Sequence, residues 1–512
     1  MKRKNISILL IITIITAIFF TACEDKKEEN KENIKENHQA SILKKFTKIS
    51  EIPRNNGDDM TGIKDYIQRR AGRLNLEVKT DEAGNMMIEM PATPGYENAP
   101  TTILQTNIDM KTIASPSIVF DEKKDPVTPI INENTNTITG NNTSLGASSG
   151  LGIASSIFVL QNTVSHGGIK AVFTVDGEGK LTGAKNIDKS FLEGDYLINM
   201  NNNRINDIDI SGSLSSDLEC KKEIKMNNTK NKYSFVLVAD GFIGGDAGLA
   251  AQNNQGNPIM FLSEVLALAK SQGLMFELND FQSGNNDAEI PEKATATITV
   301  NDYEKKKINT IFDEAKNSYL NEYGESDPDA KLEIIETRTP EKSLTDDDAG
   351  YLISFLYGIV DGRYNKDDET TDSSSAVSVK IKNDKISVKI FVQAQTDTVM
   401  NEIITDHSQI AKISNMSMDV KDKTAGFKTA ESDYLPEKIK EIFSSKFELS
   451  TEFTNNPTRT ELSYFQEKNP NLKLISIGPT IENENEINET VSLDTVDIPA
   501  SAVVMFLSGL QG

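Results

Sequence analysis

The spacing of hydrophobic positions predicts strands that alternate with helices over the first part of the chain. Helical spacing begins at Ala40 and recurs over residues 60–76. Apolar runs typical of buried strands begin at Thr101 and Lys170, and polar residues follow each run. A glycine-rich turn, Thr143–Gly152, then leads into another helix. The pattern predicts an α/β domain with a mixed, mostly parallel sheet and a site at the carboxyl ends of its strands.

The middle of the chain has a different pattern. Alternating apolar positions between Tyr233 and Gln393, among them residues 294–300, predict half-buried strands. Helical segments, among them residues 258–271, lie between them. We therefore predict a separate α+β domain over residues 211–419, inserted into a first domain that consists of residues 40–210 and 420–512. Within the insert, the acidic and serine-rich residues 365–375 are predicted to form a surface loop.

The N-terminus is typical of a bacterial lipoprotein signal. Basic residues precede an apolar run from Ile6 to Phe20, and small residues precede Cys23. The run has about fifteen residues, fewer than the roughly 20 that span a bilayer, so we predict removal of residues 1–22 and lipidation of Cys23. An uncleaved N-terminal anchor is the alternative. Residues 23–39 are rich in Glu, Lys and Asn and predict a flexible tether. The expected location is the cell envelope, lipid-anchored and extracytoplasmic, with the membrane as a partner.

Composition narrows the function. The formal net charge of −23 over 512 residues argues against nucleic-acid binding. Cys220 is the only cysteine besides Cys23, so no intrachain disulfide is expected. Histidine is the commonest metal ligand, and the chain has only three, His38, His166 and His407.

The order and spacing of several motifs resemble those of the aminoacyl-histidine (Xaa-His, carnosine-type) dipeptidases, a family of two-zinc metallopeptidases. The resemblance extends from Ile42 to Gly512 and implies a zinc-peptidase domain split by an inserted lid domain. The segments that carry it are residues 104–110, 125–129, 143–152, 172–184, 197–201 and 465–480.

The resemblance also assigns the metal site. In this family, paired zinc ions turn a bound water into a nucleophile, which requires histidine and carboxylate ligands. The His-x-Asp motif falls on Asn107-Ile108-Asp109, which keeps only the orienting acid, Asp109. One ligand, Glu178, is also retained. The remaining positions fall on Ser148 (bridging aspartate), Gly177 (general base), Asn201 (ligand aspartate) and Asn485 (last ligand histidine).

The substrate-binding positions of the family are largely replaced as well. The retained one is Glu461. The others fall on Phe242 (lid histidine), Ala288 (asparagine), Gln393 (carboxylate-binding arginine) and Pro457 (histidine).

These replacements predict a pseudopeptidase. Gly177 cannot accept a proton, and neutral Ser148 cannot bridge two cations, so the base and the metal-generated nucleophile are both lost. We expect no cofactor, with zinc bound only if the family chemistry persists. The predicted role is binding of a peptide-like or protein ligand. The alternative is an active metal-dependent dipeptidase that hydrolyses Xaa-His or other dipeptides.

Some of these residues have other interpretations. Glu178 and Asp109 have the oxygen ligands that suit one hard cation, with the Asn107 and Asn201 carbonyls, but polar groups satisfied by water are the simpler expectation. Ser149 is predicted to cap the following helix with its neighbour Ser148, because no histidine motif accompanies the two hydroxyls as a base. His166, in a loop before a strand, is predicted to cap or pack; His407 lies on a predicted helix of the insert.

Overall fold

The computed structural model of the chain describes residues 38–284, 288–364 and 372–511. The predicted signal, the lipidation site at Cys23 and nearly all of the predicted tether lie outside these ranges. Within them, no helix has both the length and the apolar character needed to cross a bilayer.

Helices and strands alternate along the described chain. The helices are residues 38–50 (α1), Thr61–Arg73 (α2), Ala147–Asn162 (α3), Thr182–Lys185 (α4), Ala247–Gln252 (α5), Pro258–Ser271 (α6), Lys305–Tyr323 (α7), Asp346–Gly358 (α8), Asp397–Ile413 (α9), Tyr434–Phe447 (α10), Glu461–Lys468 (α11) and Ile498–Gly509 (α12). The strands are Val78–Thr80 (β1), Met86–Met90 (β2), Thr102–Asn107 (β3), Pro129–Asn132 (β4), Thr137–Gly140 (β5), Ile169–Thr174 (β6), Tyr196–Asn199 (β7), Asp207–Gly212 (β8), Leu214–Glu223 (β9), Met226–Asn228 (β10), Tyr233–Asp240 (β11), Gly245–Asp246 (β12), Phe276–Ser283 (β13), Glu289–Ile290 (β14), Ala294–Val300 (β15), Lys331–Thr337 (β16), Lys342–Leu344 (β17), Gly362–Arg363 (β18), Ser373–Lys382 (β19), Lys385–Ala394 (β20), Ser417–Thr424 (β21), Phe427–Lys428 (β22), Glu452–Asn456 (β23), Lys473–Ser476 (β24), Ile481–Glu482 (β25) and Thr490–Ser492 (β26).

The chain divides into two units. The first runs to Ile210 and includes Thr429–Thr454 and the residues from Lys468 onward; the second is Ser211–Lys428 with Asn455–Glu467. The second unit thus begins where the predicted insert begins but continues past residue 419. The reason is that β21 pairs with β9, so the chain leaves this unit only after that strand.

The first unit is built on a mixed sheet with the strand order β1-β2-β6-β3-β7-β24-β8-β22, and β23 also pairs with β8. Its four central strands, β6, β3, β7 and β24, are parallel, whereas the strands on either side are antiparallel. The predicted mixed α/β fold is confirmed, with the parallel pairing confined to the centre. The carboxyl ends of these central strands lie at one edge, where the polar segments after β3, β6 and β7 meet.

Helix α3 is the central helix of the first unit. Its residues Ala147–Leu160 are all buried, which is the behaviour of a core helix rather than of an amphipathic surface helix. It packs on β3, β6 and α12. The N-terminus of α3 therefore lies inside the protein, so its free backbone N–H groups require partners there.

A four-stranded antiparallel sheet, β25-β26-β5-β4, also belongs to the first unit. Residues 483–489 form the loop between β25 and β26. This loop carries Glu484, Asn485 and Glu489.

The second unit is an α+β structure, as predicted. Its main sheet has the order β16-β11-β15-β13-β19-β20-β9-β21, with β18 on β19, and every pairing in it is antiparallel. Helix α6 packs on the sheet and on α7 and α8, while α9 packs on β20 and β21.

One prediction about the second unit is wrong in part. Ser373, Ser374 and Ser375 are not on a surface loop; they begin β19 and are buried. They pair with β20, and the Ser374 hydroxyl lies 3.1 Å from Nε2 of the buried His407 on α9. The strand pairing satisfies the backbone, which outweighs the low strand preference of serine. Residues 365–371 of the predicted loop lie outside the described residues.

Candidate functional site

Asp109 connects the segments that follow β3 and β6. Its carboxylate accepts four hydrogen bonds: from the backbone N–H groups of Gly177 and Glu178, each at 2.9 Å, from Asn107 Nδ2 at 3.2 Å and from Asn56 Nδ2 at 2.7 Å. The side chain is almost fully buried. Asp109 therefore fixes the position of the turn that carries Gly177 and Glu178.

Asn107 and Asn201 form a side-chain amide pair at the ends of β3 and β7. Asn201 Nδ2 donates to Asn107 Oδ1, and Thr106 Oγ1 donates to Asn201 Oδ1 at 2.5 Å. Both amide oxygens are thus already hydrogen-bonded. The hard-cation interpretation needed these same oxygens as ligands.

Glu178 points toward two amides. Asn107 Nδ2 lies 3.4 Å from its Oε1, and Asn485 Nδ2 lies 3.3 Å from its Oε2. Desolvation raises the pKa of the Glu178 carboxyl to about 8, and the charges of Glu484 and Asp109 add to the shift. The site therefore favours the protonated, neutral form of this side chain.

Gly177 has no room for a side chain. A Cβ atom built on it would lie 2.3 Å from Asn107 Cβ and 2.6 Å from Asn107 Cγ, well inside van der Waals contact. Any other residue at 177 requires the end of β3 or the turn after β6 to move.

The predicted capping role of Ser148 and Ser149 is wrong. The N-cap of α3 is Gly146, and the two hydroxyls bond elsewhere: Ser148 Oγ donates to Asn201 O at 2.9 Å, and Ser149 Oγ donates to Asp109 O at 2.7 Å. The serines lie inside the first turn, beyond the cap. They join α3 to the chain after β3 and β7.

Glu489 is the residue that caps α3. Its carboxylate accepts hydrogen bonds from the backbone N–H groups of Leu145 at 2.7 Å, Gly146 at 3.0 Å and Ala147 at 2.9 Å. The side chain is fully buried, and desolvation raises its pKa although these bonds favour the charged form. Sequence reasoning missed Glu489, because a cap more than 340 positions away leaves no local signal.

Arg54 places a buried positive charge beside the N-terminus of α3 and the segment after β3. Its guanidinium is buried and donates to the carbonyl oxygens of Gly146 at 2.8 Å and Asp109 at 3.1 Å, and to Ser149 Oγ at 2.6 Å. Burial lowers its pKa to about 10, while the charges of Asp109, Glu178 and Glu489 act in the opposite direction. Sequence reasoning missed Arg54 as well; the only signal was its position directly after Ile52-Pro53.

Glu484 is the third residue, and the second acid, that sequence reasoning missed. Its Oε2 accepts a hydrogen bond from Asn203 Nδ2 at 2.8 Å, and its carboxyl group lies near the Ser148 hydroxyl. Desolvation, followed by the charge of Glu489, raises the pKa of Glu484 to about 7, although the Ser148 hydroxyl acts to lower it. A carboxyl group thus lies next to Ser148, the residue to which the motif resemblance assigns the bridging position.

Comparisons with known proteins agree with this architecture. No family model matches the chain. The cytosol non-specific dipeptidase of Escherichia coli K12 is 24% identical over 459 residues, which is 88% of this chain and 93% of the relative. The solved aminoacylhistidine dipeptidase of Vibrio alginolyticus superposes with a TM-score of 0.69 at 24% identity, covering 92% of this chain and 96% of that one.

In sequence and fold the chain is thus similar to the aminoacyl-histidine dipeptidases, the family that its motifs resemble. More distant solved structures share the fold. The aminopeptidase PepT of Bacillus cereus has a TM-score of 0.53 at 13% identity, with coverage of 92% of this chain and 98% of that chain.

The residues of the present chain do not fit a two-zinc centre. Among the described residues, no group of three or more His, Cys, Asp or Glu side chains is arranged to hold a metal ion. The neutral amides of Asn107 and Asn201, which the motif resemblance places at ligand positions, bond to each other. Zinc in proteins is bound by thiolate, imidazole and carboxylate groups, and no imidazole is present among the hydrogen-bonding partners described above.

The histidines lie elsewhere. His166 is buried before β6, with Nδ1 at 2.7 Å from Gly167 O, which agrees with a packing role. His38 Nδ1 lies 3.0 Å from Ser501 Oγ on α12. His407 belongs to the second unit, on α9.

The predicted substrate positions belong to the second unit. Phe242 is buried and packs against Tyr319 with ring centroids 5.3 Å apart. Gln393 on β20 is fully buried. Ala288 accepts a backbone hydrogen bond from Ala247, and Glu461 begins α11 and is buried. Neither Phe242 nor Gln393 presents an exposed polar group for recognition of a dipeptide.

Proposed function

We propose that the protein is a pseudopeptidase: a lipid-anchored, extracytoplasmic protein of the cell envelope that uses a dipeptidase fold for binding rather than for hydrolysis. The ligand is a peptide-like molecule or a protein partner. The proposal concerns the chemistry of the site and the location of the protein, which rest on separate observations.

The observation that carries the proposal is the amide pair. Asn201 and Asn107 occupy two ligand positions of the family pattern and bond to each other, so both are satisfied without a metal ion. Carboxylate and imidazole ligands carry the charge and basicity that zinc needs, whereas side-chain amides are poor zinc ligands.

The absence of a base supports the same proposal. Position 177 takes the place of the general base, and its Cα packs too closely on Asn107 for any side chain. Loss of a general base alone typically costs about 10²–10⁴-fold in rate. Ser148 also lacks the charge to bridge two cations, so the losses affect both the nucleophile and its activation.

The location is proposed from the N-terminal sequence. A basic segment, an apolar run and the small residues before Cys23 support lipidation of that cysteine. The Escherichia coli relative is named as a cytosolic protein, so the anchor distinguishes this chain from it.

Metal content and hydrolysis test the proposal. The mature lipoprotein, purified in detergent, would be analysed for bound zinc and incubated with an Xaa-His dipeptide and a panel of other dipeptides. We expect no retained zinc and no turnover, with the Escherichia coli dipeptidase as the active control. Two tightly bound zinc ions per chain together with turnover would establish the alternative, an active dipeptidase.

Thermal melting tests the binding role. A ligand present at about 100 times its dissociation constant stabilises the folded state by about 2.7 kcal/mol. Dipeptides that raise the melting temperature without being cleaved would support a peptide-binding pseudopeptidase. A melting temperature that no member of the panel changes would leave protein partners as the binding role.

A further inference from the structure

Helices α1 and α2 form a basic surface on a strongly acidic protein. Residues 38–73 contain eight Lys and Arg against four Asp and Glu, whereas the whole chain has a net charge of −23. The two helices themselves carry a single acidic residue, Asp65. The sign of the charge in this region is therefore opposite to that of the rest of the protein.

Five cationic side chains of these two helices, each exposed or partly exposed, are called here the basic face: Lys44, Lys48, Arg69, Arg70 and Arg73. Lys44 and Lys48 are one turn apart on α1, and Arg69 and Arg73 are one turn apart on α2; all four are exposed.

One interaction couples α1 and α2 near this face, and a second fixes Arg70 within α2. Burial, as the main cause, lowers the pKa of Lys45 on α1 to about 8. The positive charges of Arg70 on α2 and of Lys44 contribute to this lowering. The Arg70 guanidinium also stacks over the Tyr66 ring, 4.8 Å from its centroid.

Few acids of the described chain neutralise the basic face. Lys48 pairs with Glu51 at 2.7 Å, a solvent-exposed ion pair. Lys44, Arg69 and Arg73 form no ion pair with any described residue. Exposed arginines without counter-ions are suited to phosphate groups, which the guanidinium binds with two parallel hydrogen bonds.

The position of the basic face along the chain indicates its partner. Fourteen residues, 24–37, separate Cys23 from His38, where the described chain begins with α1. A random-coil chain of this length, as expected for the predicted tether, has an average end-to-end distance of about 20 Å. Lys44 lies a further six residues on, about 9 Å along the helix axis. An acyl chain on Cys23 would hold the basic face within a short distance of the bilayer surface.

We propose that the basic face docks on anionic phospholipid headgroups and so orients the lipid-anchored protein with α1 and α2 against the bilayer. The proposal rests on the lipid anchor of the proposed function and adds an orientation to it. Anionic lipids attract clusters of Lys and Arg close to the membrane and repel acidic surfaces. The acidic remainder of the chain therefore reinforces the same orientation.

Lysine labelling tests the orientation. The purified lipoprotein would be reconstituted in phosphatidylcholine vesicles, with or without phosphatidylglycerol, and treated with a water-soluble amine reagent. Mass spectrometry would then give the labelling rate of each lysine. We expect Lys44 and Lys48 to be labelled several-fold more slowly with phosphatidylglycerol, and high salt to remove the difference. Lys306 and Lys307, on α7 of the second unit, serve as internal references.

Two matched variants complete the experiment. Arg69→Glu/Arg73→Glu should abolish the protection of Lys44 and Lys48 while leaving the melting temperature unchanged, because both arginines are exposed. Lys306→Glu/Lys307→Glu changes charge equally and should keep the protection. Flotation with phosphatidylcholine vesicles reports the anchor separately, and its failure would overturn the lipid anchor. Flotation with equal lysine labelling in both vesicle types, or protection that survives Arg69→Glu/Arg73→Glu, would overturn the docking proposal.

Discussion

Gly177 packs directly on Asn107: a Cβ atom at 177 would lie 2.3 Å from the Cβ atom of Asn107. The motif resemblance assigns the general base to one of these positions and a metal ligand to the other. Their contact joins the end of β3 to the turn after β6, and Asp109 holds the same two segments together through hydrogen bonds to both. The end of β3 and the turn after β6 are thus tightly packed against each other.

The first prediction concerns this contact. Gly177→Ala adds one methyl group where no space exists, so we expect a loss of about 1–3 kcal/mol in the free energy of unfolding. Urea denaturation followed by circular dichroism measures it. Gly72→Ala is the matched control: Gly72 is on α2 with open space around its Cβ position, and alanine there should stabilise by about 0.5–1 kcal/mol. Equal effects of the two variants would contradict the packing argument.

Glu489→Gln tests the cap of α3. The amide has one acceptor oxygen in place of two, so at least one buried N–H among residues 145–147 loses its partner, and the charge that complements the helix N-terminus is removed. We expect a loss of about 1–3 kcal/mol. Glu486→Gln, an exposed position of the same loop, should change stability by less than about 0.5 kcal/mol. A Glu489→Gln variant whose free energy of unfolding equals that of the original protein would show that the cap does not contribute to stability.

Asn201→Asp tests the amide pair. The carboxylate cannot donate to Asn107 Oδ1, and it adds negative charge near Glu178 and Glu484, so we expect a loss of about 1–3 kcal/mol. A calorimetric titration of this variant with zinc should show no tight binding, since the site still has no histidine ligand. Asn488→Asp, exposed in the loop between β25 and β26, is the control for the charge alone. Tight zinc binding by the Asn201→Asp variant, with a gain in stability, would contradict the conclusion that the amide pair stabilises the site and that the site does not fit zinc.

His407 gives a pH prediction for the second unit. Burial lowers its pKa below the usual 6.5, and the ring lies within hydrogen-bonding distance of Ile403 O at 2.8 Å and Ser374 Oγ at 3.1 Å. The unfolded state takes up a proton at about pH 6.5 while the folded state stays neutral, so stability falls as pH decreases below about 6.5.

Proton NMR checks this directly, because the chain has only three histidines. The ring signal of His407 should titrate below pH 6.5. His407→Gln, which keeps a donor and an acceptor, should reduce the loss of stability between neutral and mildly acidic pH. A His407 signal that titrates at or above pH 6.5 would contradict the prediction.

Local patterns predicted much of the secondary structure. Helix α6 has the predicted limits, Pro258–Ser271, because Asn257 caps it and Pro258 occupies its first turn. Strand β15 also has its predicted limits, Ala294–Val300, where apolar residues alternate in the interior of the second sheet. Periodicity was sufficient here because burial alone decides the conformation of such segments.

Contacts between distant parts of the chain were not predictable from the sequence. Glu489 caps α3 from the far end of the chain, and Arg54 reaches Gly146 and Ser149 from the loop before α2. The two hydroxyls assigned as caps were displaced from that role because Glu489 already occupies the N-terminus. The buried Ser373–Ser375 were misread because their composition favours a loop, whereas pairing with β20 decides their conformation.

The amide pair of Asn107 and Asn201 has a consequence for the evolution of this chain. A return to a metal ligand at either position breaks the bond between the two before any metal site exists, and a base at 177 first requires space beside Asn107. Each single substitution of this kind removes a contact of the present structure, whereas a two-zinc centre would need several of them at once. Under the proposed function, single substitutions toward the family pattern are therefore expected to destabilise the fold without producing hydrolysis.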